Sequence, residues 1–442
     1  GSGSPPSRSS GAASCKTWPH EGSRVRTPDR RVALVVTAVG AIAVLVLVVL
    51  RVPWDPVPGG TPSPADPSSV FTAEQVARGE EYARWARLWS WSSLVVSLVV
   101  ACVLGFSRWG RRLVGRLPGW WWVRVVLAVA AVELIGRAVT LPFAVLLRRH
   151  ALDNGLSTQP WSGFAADLAK SETLTIVVTS LLLVVLVGCA RRWPRTWPAV
   201  AGGLLAVLVL AGSFVYPVVV EPLFNHFTSL PDGELRTRVL ALADQEGVRV
   251  DDVLVADASR RTTTLNAYVS GFGDTRRVVL YDNLVNDVPQ EQTLSVVAHE
   301  LAHAKHDDVL TGSLIGAAGA LFGVGVLALV VGAVGDRRGV TMRDPEVVPL
   351  VLALIAVATL LTMPVENGIS RRIETRADVD ALVATRDPEA FVAVQRELAL
   401  RSLSDPTPPA WAQWWFGSHP ITLVRIAIAE QIGEQQQGTE PR

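Results

Sequence analysis

Seven long apolar runs constrain this chain more than any other feature. The first, 32–50, is 19 residues without a charge. Others follow at 89–106, 120–147, 173–190, 199–220, 311–335 and 347–363. A bilayer core takes about 20 apolar residues of helix to cross. No soluble core needs such a series, so the pattern predicts seven transmembrane helices. The first run is too long for a signal-peptide core, and no A-x-A site follows it, so it reads as a span. The third run alone contains several charges: Arg124, Glu133 and Arg137. Charge inside a membrane is costly and is generally paired. Glu133 and Arg137 are four residues apart, so they either pair with each other or line a water-filled interior.

Composition narrows the functional classes. Hydrophobic residues make up 49% of the 442 and charged residues only 18%, against about 25% charge in soluble domains. The net charge of +1 offers no basic excess for nucleic acid, so no nucleic-acid partner is expected. Cys15, Cys102 and Cys189 are too scattered for a disulfide framework. Residues 1–30, rich in Gly, Ser, Pro and Arg, read as a disordered N-terminus. The rest divides into a five-span region at 31–220, a soluble segment at 221–310, spans six and seven within 311–368, and a polar C-terminal part at 369–442. The expectation is a mainly α, integral, multi-pass membrane protein in contact with membrane lipids, in the plasma membrane if the source is bacterial.

Arg108, Arg111, Arg112, Arg116, Arg191, Arg192 and Arg195 fall in the loops 107–119 and 191–198, on one side of the membrane. The positive-inside rule makes that side cytoplasmic and puts 221–310 outside.

The chemistry lies in the soluble segment. Residues 289–310 read PQEQTLSVVAHELAHAKHDDVL. Leu294, Val297, Leu301 and Ala304 recur at helical spacing. His299 and His303 are therefore one turn apart on one face, the spacing at which two imidazoles grip one zinc ion. Glu300 beside them can take a proton from an attacking water as general base. The bland alternative is a solvated helix face that spells H-E-x-x-H by chance. Zinc hydrolases use three protein ligands and keep one position open. A metzincin would have Gly at 306 and His at 309; here those residues are His306 and Val309. The other common third ligand is a glutamate from a later helix. NGISRRIETRADVDAL, after the seventh run, supplies Glu374, with Asp378 one turn on and placed to orient a ligating histidine. One zinc per chain is expected. His306 reads as a polar helix end.

These pieces, in this order, resemble the membrane gluzincins typified by the type I CAAX prenyl protease, with HtpX-type proteases as relatives. EPLFNHFTSLPDGEL (221–235), TLNAYVSGFGDTRRVVLYDNLV (264–285), VVAHELAHAKH, NGISRRIETRAD and FGSHPITLVRI (416–426) carry the resemblance, and LPFAVLLRRHALDNGLSTQPW (141–161) extends it into the membrane region. Ala302 and Arg376 depart from the commoner Gly and Gln. The resemblance implies a zincin-like α+β catalytic domain and a zinc metalloendopeptidase acting near the C-terminus of a peptide or protein, with or without an attached lipid. It implies that His299, His303 and Glu374 bind zinc and that Glu300 activates water. It further implies that Asn266 and Ala267 hold substrate backbone by strand addition, that His419 faces the oxyanion, and that Asp378 orients a ligand or donates a proton. It also implies a cytosolic catalytic side, against the arginine count, so the sequence assigns no side. Two other readings stand beside it. One is a quality-control protease of the HtpX kind; the other is a seven-span transporter or receptor in which the motif is incidental, although no repeat supports transport.

Overall fold

The computed structural model describes residue 1, residues 30–271, residue 273 and residues 276–439. The segment expected to be disordered thus lies almost wholly outside the described residues, although Arg30 already opens the first helix.

The membrane region begins with α1 (Arg30–Arg51), the short α2 (Pro67–Val70), α3 (Ala73–Phe106) and α4 (Arg108–Gly115). It continues through α5 (Trp121–Asp153), α6 (Trp161–Arg192) and α7 (Trp197–Val215), which passes through a π-turn into α8 (Glu221–Phe224). Later come α12 (Asp308–Arg338) and α13 (Val348–Thr385). Seven of these helical stretches are long and apolar enough to cross a membrane. In α1 only Ala33, Val36 and Gly40 are buried, on one stripe, while Leu50 is 74% exposed. A helix so apolar on its open face has lipid as its natural solvent. Small residues set the closest approach, as is common between membrane helices. A Cβ on Gly40 would collide with the backbone of Phe322, and one on Gly325 with Thr37, so α1 and α12 touch through two reciprocal glycines.

The structure refines the sequence boundaries. The loop expected at 107–119 contains α4, capped by the Ser107 hydroxyl accepting from the Trp109 N–H. The seventh span and the stretch with Glu374 are one continuous helix, α13, with no break at 368. Arg137 does not turn to Glu133 for its ion pair. Its Nε lies 2.7 Å from Glu172 of α6, because that helix starts before the apolar run that marked it.

The soluble part is a four-stranded sheet of β1 (Phe227–Ser229), β2 (Asp252–Ala256), β3 (Ala267–Ser270) and β4 (Arg277–Tyr281), in the order β1-β2-β4-β3. β2 and β4 run parallel; β1 and β3 are antiparallel to their neighbours. α9 (Glu234–Gln245), α10 (Asp282–Asp287) and α11 (Gln290–Lys305) complete it, with α14 (Pro388–Ser402), α15 (Ala410–Phe416) and α16 (Thr422–Thr439) added from the C-terminus. Alternation along β4 sends Val278 and Leu280 into a core with Val297 and Leu301 of α11, and Val279 to the opposite face. The burial of α11 on this sheet leaves its histidine face turned away from the strands, toward α13.

Candidate metal centre and active site

α11 presents His299 and His303 one turn apart, and their Nε2 atoms converge to 3.2 Å. Two imidazole nitrogens aimed at one point call for a cation between them. Glu374, from α13, closes the set: its Oε2 lies 3.2 Å from His299 Nε2 and its Oε1 3.8 Å from His303 Nε2. Ligand atoms about 2.0–2.1 Å from a tetrahedral zinc stand roughly 3.3 Å apart, so the donor set fits that ion. Glu374 Oε2 is also buried and makes no hydrogen bond, an orphan that a metal would satisfy. Glu300 lines the same cavity of about 550 Å³, together with Tyr268, Val269 and His419. Burial raises the Glu300 carboxyl, and the two histidines oppose that rise. Burial pulls the other way on His299, but its carboxylate neighbours Asp378 and Glu374 outweigh it and hold the ring up at about 10.

Each histidine is fixed from behind. Asp378, fully buried on α13, places Oδ1 2.9 Å from His299 Nδ1. Asp308, the first residue of α12, places Oδ2 3.0 Å from His303 Nδ1. Carboxylates in these positions fix tautomer and ring orientation. Asp308 reaches back because Asp307 adopts the left-handed region, φ 53°, between α11 and α12. Aspartate tolerates that conformation better than most residues do. Two arginines pin the carboxylates. Arg425 of α16 grips Asp378 through Nε at 2.8 Å and through Nη2, and Arg376 of α13 pairs with Asp308.

His419 is itself exposed, on a loop at the cavity mouth, and its Nε2 lies 3.4 Å from Glu374 Oε2. That loop is tied to α13: Asn367 Nδ2 donates to the Trp415 carbonyl at 2.6 Å, and Arg371 Nη1 to the carbonyls of Gln413, at 3.2 Å, and Gly417. A Cβ on Gly417 would strike the Gln413 side chain, so only glycine fits there without a shift. Asn266 and Ala267 stand at the start of β3, the edge strand, which among the described residues pairs only with β4 and packs on α11. The regular strand begins at Ala267, so Asn266 stands just before it. The Asn266 carbonyl is already taken by the Tyr281 N–H at 3.0 Å, while the residue itself is exposed. His306 caps α11, and its Nε2 lies 2.6 Å from Asp380 Oδ2, a helix-end pairing apart from His299, His303 and Glu374.

Asp308, Arg376 and Arg425 were missed as site residues. A carboxylate directly after a helix bearing H-E-x-x-H was a usable signal for Asp308. Arg425 lies in the FGSHPITLVRI stretch that carries the resemblance, but its role was hidden, since its partner is 47 residues away.

Comparison with known proteins adds independent findings. The model of peptidase family M48 matches residues 229–432, and that of the CAAX prenyl protease N-terminal region, five membrane helices, matches 60–226. An uncharacterized metalloprotease, YhfN of Bacillus subtilis (strain 168), is 29% identical over 380 residues, covering 83% of this chain and 88% of that protein. A CAAX prenyl protease 1 homolog of Oryza sativa subsp. japonica is 28% identical over 327 residues, 70% of this chain and 74% of that one. The crystal structure of S. mikatae Ste24p superposes with a TM-score of 0.74 at 20% identity, covering 90% of this chain and 99% of the other. At that identity the likeness concerns the fold.

Proposed function

We infer from the matches to the models of peptidase family M48 and of the CAAX prenyl protease N-terminal region that this multi-pass membrane metalloprotease is of the CAAX prenyl protease type, and from that premise we propose how its residues act and on what. The substrate is an extended peptide or protein segment near its C-terminus, and one zinc ion per chain is held by His299, His303 and Glu374. The observation that carries this reading is the convergence of three ligand atoms beside Glu300 in a cavity bordered by an open strand edge.

Zinc bound there would make water a stronger nucleophile at neutral pH and polarise the scissile carbonyl. Glu300 takes the proton from the attacking water and passes it to the leaving amine. Its raised affinity for a proton suits a base that must also act as an acid. Asp378 and Asp308 hold the two rings in the tautomer that presents Nε2. His419, at the mouth, is placed to donate to the developing oxyanion. β3 offers unpaired backbone groups at its free edge, where a substrate strand can add, while neighbouring pockets select side chains.

The test uses the purified full-length chain, its bound metal measured, on a farnesylated C-terminal peptide and its unmodified twin. Preferential cleavage of the farnesylated peptide, at one zinc per chain, is the expected result. Equal cleavage of both would turn the assignment toward a quality-control protease, and no cleavage of either would defeat it. The same peptides read the strand edge. Asn266→Ala should lower kcat/KM with metal content and fold intact; parental kinetics would make Asn266 a turn residue only.

Asp378→Asn is expected to cost roughly 10–100-fold in metal affinity or turnover without emptying the site. It also strands the buried Arg425 charge, so the unfolding midpoint should fall. Adding Arg425→Gln removes the stranded charge and should recover stability but not turnover. Recovery of both together would mean that Asp378 serves the fold alone.

A further inference from the structure

The arginine-rich end of the molecule forms a second site. Arg108, Arg111 and Arg112 of α4 line a cavity of about 540 Å³ together with Gly339, Val340, Asp344 and Glu346 from the turn between α12 and α13. α12 carries 31 residues between the metal centre and this turn, about 45 Å of helix, so the two sites lie at opposite ends of the membrane region. The two carboxylates of the cavity are already engaged. Glu346 Oε1 lies 2.5 Å from Arg124 Nη2, and Asp344 Oδ2 accepts from the Thr341 N–H at 3.0 Å and its hydroxyl at 2.7 Å. Arg108 and Arg112 are exposed and meet no carboxylate among the described residues. Once the Glu346–Arg124 pair cancels, Arg108 and Arg112 face one remaining lining carboxylate, Asp344, and so carry an excess of positive charge among the described residues.

Its depth identifies the ligand. Trp109 of α4 is 66% exposed, and Trp120 and Trp193 are exposed at the same end of the bundle. Tryptophans so placed mark the level of lipid headgroups. The last turns of α3, just before α4, expose Val103 and Phe106 to the acyl region below. An anionic diester placed in the cavity would meet the guanidinium forks, which match phosphate geometry. Its chains would continue along those apolar side chains. We propose that this cavity binds the phosphate headgroup of an anionic glycerophospholipid, where basic pockets between membrane helices find their ligands. A free phosphate would gain the charge contacts but bury no apolar surface.

The experiment reconstitutes the delipidated full-length protein in phosphatidylcholine vesicles with and without phosphatidylglycerol. Retained lipid is then counted by native mass spectrometry. Retention of phosphatidylglycerol is expected, and it should weaken at high salt. The double variant R108Q/R112Q should lower that retention by roughly fivefold for each arginine. R84Q, an exposed arginine toward the other end of α3, should leave it unchanged, and R108K/R112K should keep most of it. Retention by R108Q/R112Q equal to the parent's would overturn the proposal. So would displacement of phosphatidylglycerol by inorganic phosphate at equal concentration, which would make this a site for soluble anions.

Discussion

Glu374→Ala is expected to empty the metal site and abolish proteolysis. Two of the three proposed ligands sit on one helix and converge by themselves, but two imidazoles do not make the three-ligand set that zinc hydrolases use. The third must come from α13, which is held against α11 by the Asp378–Arg425 pair and by Arg376 on Asp308. Alanine leaves that scaffold in place and removes only the carboxylate 3.2 Å from His299 Nε2. The fold should persist, and the metal loss should exceed the roughly 10–100-fold cost typical of an outer-shell change. Elemental analysis after dialysis against a weak chelator checks this; full zinc with full turnover would remove Glu374 from the ligand set. The parent should show a pH signature as well. In the metal-free protein His299 holds its proton up to about 10, so the ion must displace that proton. Affinity should therefore rise with pH below that value, by about tenfold per unit for each proton displaced.

What the sequence made legible here is what depends on local spacing. Seven spans show in hydropathy because each is its own contiguous run. His299 and His303 meet because four residues make about one turn, and Glu374 and Asp378 share a face for the same reason. The features it hid depend on how elements pack. Nothing near Asp378 in the chain announces Arg425, and only the docking of α16 on α13 joins them. Asp308 reaches His303 through the left-handed backbone at Asp307, a geometry that no hydrophobic period encodes. Glu172 lies just before the apolar run at 173–190, and it meets Arg137 because α6 starts well ahead of that run, at Trp161. Arg376, which looked like a departure from the family pattern, is the partner of Asp308.

Glu300→Gln is expected to retain the metal while losing turnover by at least ~10²-fold. The argument rests on what Gln preserves. It has the size of Glu and keeps one carbonyl oxygen as acceptor, so the packing of α11 between the sheet and α13 should survive. His299, His303 and Glu374 are untouched, and so are Asp378 and Asp308 behind the rings. What disappears is the ability to accept a proton from the attacking water and deliver it to the leaving amine. Burial raises the Glu300 carboxyl from the ordinary carboxylate range, which makes it a stronger base than an exposed glutamate. Parental activity should accordingly fall on the acid side as Glu300 becomes protonated, and that limb should vanish from the residual activity of the variant. The decisive measurement pairs zinc content with kcat across pH for parent and variant. A zinc-loaded Glu300→Gln protein that turns over at the parental rate, or keeps the acid limb, would assign the proton transfer to another group. His419 at the cavity mouth would be the next to examine.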